Sequence, residues 1–132
     1  MFPDPAALAA LDPAALALPQ ARRTTLTTLV GALATGEIDL SPATDWQQAR
    51  VQLARLPGLG PWTIEMIAMR SLGDPDAFVA ADLGLRRAAR DMGLPVSASA
   101  LTRHAAAWRP WRAYAVQYLW SSSDHAINRL PA

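Results

Sequence analysis

Apolar residues recur at intervals of three and four along most of this 132-residue chain, and no run alternates apolar and polar with a period of two. That periodicity predicts amphipathic helices and no strands. Two short helical turns are expected within residues 3–18, opened by Asp4-Pro5 and Asp12-Pro13. Asp accepts from the unpartnered first amides of a helix, and Pro suits its first position. A helix from about Gln20 to Thr35 follows, with Leu26, Leu29, Val30 and Leu33 facing inward and Gly36 closing it. Ile38 to Pro42 reads as a connector, and Thr44 or Asp45 caps a helix that leads through Gln47 to Leu56.

The stretch from Leu53 to Leu85 organises the rest. Pro57-Gly58-Leu59-Gly60 separates Val51, Leu53 and Leu56 from Ile64, Ile67 and Met69, two sets at helical spacing. Two glycines two apart allow positive φ and leave backbone amides bare. A helix starting directly afterwards, at Pro61, adds its own unpartnered amides, so the turn is suited to an anion such as a nucleic-acid phosphate. That helix is expected to reach about Leu72, before the turn-rich Gly73-Asp74-Pro75-Asp76. Phe78 and Val79 form an apolar anchor, and Asp82 stands at the mouth of a helix from Leu83 to Met92, closed by Gly93. Ser97 or Ser99 caps a further helix through Trp108, and Pro110 opens the last one, to about Ser121. The tail from about residue 122 has no periodicity and reads as loose. The expectation is one all-α domain over residues 1–132.

Composition narrows the chemistry. Hydrophobic residues make up 52% of the chain and no apolar run approaches a membrane span of roughly 18 residues. The first residues carry acid and not the basic start of a signal peptide, so a cytoplasmic location is expected. The absence of cysteine excludes disulfides, thiolate zinc and iron–sulfur clusters. All twelve basic residues are arginine. A backbone-nicking lyase needs an amine for a Schiff base, and here only the N-terminal amine could serve. The net charge of +1 is too small to argue for nucleic acid, although arginines cluster at 22–23, 86–90 and 103–112.

Read from the residues alone, Asp82 is an N-cap, Trp120 packs on an apolar helix with Tyr114, Val116 and Leu119, and Gly58 and Gly60 form an interhelical turn. Trp108 and Trp111 read as packing beneath Pro110, and Asp74, Asp76 and Asp91 as turn or surface residues. Ser71, His104 and His125 have no spacing that suits a catalytic triad or a metal site.

Three segments change those readings. LPGLGPWT, an Asp about twenty residues later in FVAADLGLRR, and WRPWRAYAVQYLW together resemble the helix-hairpin-helix DNA glycosylases, most closely the 3-methyladenine DNA glycosylase II branch. The resemblance spans nearly all of residues 2–121. It implies a helical bundle with a helix-hairpin-helix motif, a partial DNA glycosylase catalytic domain. It also implies a monofunctional N-glycosylase that removes alkylated purines such as 3-methyladenine from duplex DNA. Asp82 would stabilise positive charge on the deoxyribose and direct water at C1′. Trp62, Met66 and Trp120 would line the base pocket, Met66 standing where relatives often have an aromatic. Gly58, Leu59, Gly60, Trp62 and Thr63 would meet the DNA backbone. Trp62 occupies the position where bifunctional relatives carry their lysine. No cofactor or metal is implied, beyond a monovalent cation that turn carbonyls hold in related hairpins.

Full members of this family carry an N-terminal β-rich domain and further helices, including the side chain that wedges into the duplex. A chain without them is expected to flip bases poorly and to expose apolar faces, favouring a homodimer or a partner segment. The alternative function is a non-catalytic or truncated helix-hairpin-helix DNA-binding module that needs a partner chain.

Overall fold

Side-chain caps fix most helix starts in the computed structural model, which describes residues 3–122. Asp4 accepts from Ala7 N–H to open α1 (Pro5–Ala9), and Asp12 accepts from Ala14 N–H to open a short 3₁₀ turn (Pro13–Ala15). α2 (Gln20–Ala34) ends at Gly36, whose φ of 75° continues no helix. Of the two candidate caps for α3 (Trp46–Ala54), Asp45 is the one used, at 2.7 Å from Gln48 N–H. α4 (Pro61–Arg70) begins at the expected proline. α5 (Leu83–Asp91) is capped by Asp82 and α6 (Ala98–His104) by Ser97. A second 3₁₀ turn, Ala105–Trp108, extends α6, and α7 covers Arg112–Ser122. Among the described residues there is no strand, and no helix is long and apolar enough to cross a membrane. The tail beyond Ser122, with His125, lies outside the described residues.

Chain contacts divide into two compact units, Met1–Ile64 and Glu65–Ala132. In the first, α1 packs against α2, and Val30, Ala32, Ile38, Ala49 and Leu53 are buried. The expected inner face of α2 is only partly realised. Val30 is buried, whereas Leu26, Leu29 and Leu33 are half-buried. Of the set Val51, Leu53 and Leu56 at helical spacing, the last two are buried and Val51 is 47% exposed, because the buried stripe of α3 runs through Ala49 and Leu53.

In the second unit α5 packs against α7, and Val79, Leu85, Ala88, Leu101, Val116 and Leu119 form the core. Each fully buried leucine there, such as Leu85 or Leu101, contributes about 2 kcal/mol of apolar transfer. One expectation fails in this unit. Trp111 does not pack beneath Pro110; it is 58% exposed and meets the Tyr114 ring edge to face, at 5.7 Å between centroids. Of the two readings of Asp74, turn or surface, the turn holds: it is 5% exposed, and its Oδ1 accepts from Asp76 N–H, turning the chain before Phe78.

Candidate active site

The break between α4 and α5 is held from both sides. Glu65 of α4 accepts from Phe78 N–H through Oε2 at 3.1 Å. From α7, Arg112 makes a bidentate pair with Asp76, Nε to Oδ1 at 2.6 Å and Nη2 to Oδ2 at 2.7 Å, and its guanidinium stands over the Phe78 ring at 5.7 Å. Ala113 N–H adds a bond to Pro75 carbonyl at 2.9 Å. A fork-to-fork pair fixes direction as well as distance. The Arg112 hydrogen bond holds the Asp76 carboxyl below its ordinary value, against a smaller opposing effect of burial. These contacts seat the start of α7 on the turn that leads to Asp82.

Asp82 itself has an extended backbone, φ −63° and ψ 127°, and is half-buried. Its Oδ1 accepts from Leu85 N–H at 2.7 Å and from Trp120 Nε1 at 3.0 Å. Capping and a contact to a distant aromatic therefore coexist on one oxygen. The carboxylate stands at the positive end of the α5 dipole. Arg70, at the end of α4, places its guanidinium carbon 5.9 Å from the Trp120 ring centroid. A 340 Å³ cavity opens beside Arg70, lined also by Asp74, Tyr114 and Gln117. Met66 lies half-buried on α4.

The hairpin belongs to the other unit and is built from backbone. Gly58 has φ 87°, and a Cβ there would collide with Thr25 Oγ1 of α2. That hydroxyl lies 3.3 Å from the Pro57 carbonyl, which it can donate to. Gly60 behaves differently from the expectation for paired glycines. It does not adopt positive φ, and a Cβ added there would meet nothing within 4 Å. Only the first glycine is therefore demanded by the turn. Gly58, Leu59, Trp62 and Thr63 line one side of a 690 Å³ groove whose other side is α2, with Arg22, Thr25 and Leu29. Trp62 is 43% exposed on it.

Sequence reasoning named Asp82, Trp120 and the hairpin as candidates, and the structure joins Asp82 to Trp120 directly. It missed Arg70, Thr25 and the Asp76–Arg112 pair. Local pattern carries no signal for any of the three, whose partners lie 32 to 50 residues away.

A chain with this geometry has solved counterparts. It superposes on the 3-methyladenine DNA glycosylase Mag1 of Schizosaccharomyces pombe, solved in complex with abasic DNA, with a TM-score of 0.81 and 26% identity over 95% of this chain and 65% of that one. It is 55% identical over 130 residues to a probable bifunctional transcriptional activator/DNA repair enzyme AlkA of Mycobacterium tuberculosis. It is 34% identical over 122 residues to DNA-3-methyladenine glycosylase 2 of Escherichia coli. The chain belongs to the helix-hairpin-helix DNA glycosylase superfamily.

Within the superfamily its relatives place it with the 3-methyladenine glycosylase II-like branch. The matches cover 98% and 90% of this chain but 26% of the M. tuberculosis relative and 42% of the E. coli one, so it spans less than half of either. No protein-family model matches the sequence.

Proposed function

We propose that this chain carries the base-releasing site of a monofunctional DNA N-glycosylase that acts on alkylated purines such as 3-methyladenine in duplex DNA. The observation that carries the reading is Asp82: a carboxylate at a helix N-terminus, its Oδ1 held by the Leu85 amide and the Trp120 indole. In the reaction the C1′–N bond breaks with its electron pair leaving on the base, and water adds to C1′. The sugar develops positive charge on the way, and a fixed carboxylate stabilises it electrostatically. A purine alkylated at N3 or N7 is cationic and leaves readily, so one carboxylate suffices without a strong general acid.

The remaining residues take roles that follow from this reading. Trp62, Met66 and Trp120 contact the flipped base, where an aromatic face gains from the base's positive charge. Gly58, Leu59, Gly60, Trp62 and Thr63 meet the phosphate backbone through the hairpin and the first amides of α4. A monovalent cation fits the same turn as a bridge to phosphate. The Pro57 carbonyl lies within reach of the Thr25 hydroxyl, and a carbonyl has a second lone pair to offer. Trp111, just before α7, and Tyr114 and Tyr118 on it are exposed, which supports a second copy or a further helical segment covering that face. The location that suits this work is the bacterial cytoplasm.

The test is release of 3-methyladenine from alkylated duplex DNA by the 132-residue chain, beside Asp82→Asn. The variant is expected to lose about 10²–10³ in rate while binding DNA as before. Equal release by both proteins would refute the assignment. A folded wild-type chain that binds DNA and releases no base would instead favour the DNA-binding module.

A further inference from the structure

Two donors meet on Asp82 Oδ1, and they come from different elements. Leu85 N–H belongs to the helix that Asp82 caps, whereas Trp120 Nε1 comes from α7. The amide alone keeps Oδ1 near the α5 axis and leaves the carboxylate plane free to turn. A second donor from an independent direction removes that rotation. Its own orientation then becomes the controlling variable. Arg70 is the residue that acts on it, with a guanidinium carbon 5.9 Å from the Trp120 ring centroid. A cation near an indole is attracted to the electron-rich face and holds the ring. It also draws electron density from the ring, which makes the indole N–H a stronger donor.

We propose that Arg70 and Trp120 are positioning residues for Asp82, a relay from the end of α4 through α7 to the carboxylate at the start of α5. The relay rests on the reading of Asp82 as the catalytic carboxylate and deepens it. Trp120 then does more than pack beside a base. Its edge is committed to the carboxylate and one face to Arg70, so a flipped base can stack only on the opposite face. The blander account makes Arg70 a cation that complements the C-terminal end of the α4 dipole. That account predicts a small change in stability and none at the indole.

The experiment follows the indole N–H resonances of the chain labelled with ¹⁵N at its five tryptophans, with Trp120→Phe identifying the Trp120 signal. Asp82→Ala is expected to move the Trp120 indole proton upfield. Arg70→Gln is expected to move it in the same direction by less, and Arg70→Lys to restore it in part. Arg70 is exposed, so these variants leave the core intact. In base release, Arg70→Gln should lower kcat about two- to tenfold at unchanged KM, with partial recovery in Arg70→Lys. A Trp120 resonance that ignores both Asp82→Ala and Arg70→Gln overturns the relay. So does a variant whose KM rises while kcat holds. A wild-type chain that releases no base would refute the glycosylase reading alone, because the resonances still decide the relay.

Discussion

The hairpin and the Asp82 site recognise different things by different means. The hairpin presents backbone: a left-handed Gly58, the carbonyls around it and the first amides of α4, with one hydroxyl from Thr25 nearby. The Asp82 site presents a side chain whose orientation depends on Trp120, 38 residues away, and on a turn clamped by Arg112, 36 residues from Asp76. A backbone site tolerates most side-chain changes and fails when φ is wrong. A side-chain site tolerates backbone variation and fails when a distant partner is lost. Substitutions should therefore separate the two regions cleanly.

The largest effect belongs to Asp82→Asn. Asparagine caps a helix about as well as aspartate, so the melting temperature should stay nearly unchanged while base release collapses. A large drop in thermal stability would mean that the Asp82 charge serves the fold and not only base release. Next comes Gly58→Val. It forces a β-branched residue into positive φ and against Thr25, so a loss of about 2–3 kcal/mol in urea unfolding is expected, together with weaker DNA binding. Gly60→Ala is its control for the fold and should be near neutral in urea unfolding, since nothing in the protein crowds that position.

Arg112→Met should cost about 1–3 kcal/mol, because it leaves the Asp76 carboxylate part-buried without its fork. This pair also carries a pH signature. Asp76 has a lowered pKa in the folded state, so its contribution is fully present above the ordinary carboxylate value and is lost as pH falls toward the depressed one. Urea titrations across that acidic range should show a shallower acid limb in Asp76→Asn than in the wild type. The smallest effect is that of Thr25→Val, under about 1 kcal/mol in stability. Any loss of DNA affinity in this variant would show that even the backbone site depends on a tertiary clamp.

Helix starts were readable because a cap acts within three residues of itself. Asp45, Asp82 and Ser97 each bond an amide three positions on, and each was a named candidate. The hairpin was readable for the same reason, and so was the family, carried by short motifs around Gly58, Asp82 and Trp120. Finer burial was less so. Val51 and Trp111 sit on apolar spacing yet face solvent, because periodicity marks a stripe and not which neighbour covers it.

By itself, then, the sequence determined an all-helical chain, its caps, a glycine turn before a helix and a carboxylate at the mouth of another. Those are local matters of φ, amide partners and period. Tertiary structure alone decided which of the two hairpin glycines is indispensable, since the Thr25 hydroxyl stands where only Gly58 would carry a Cβ. It also decided that Asp74 is buried, that Arg112 grips Asp76, and that Trp120 turns its N–H to Asp82 beside Arg70. Each of those depends on side chains tens of residues apart meeting in one place, and one-dimensional spacing does not encode the direction in which a helix brings them.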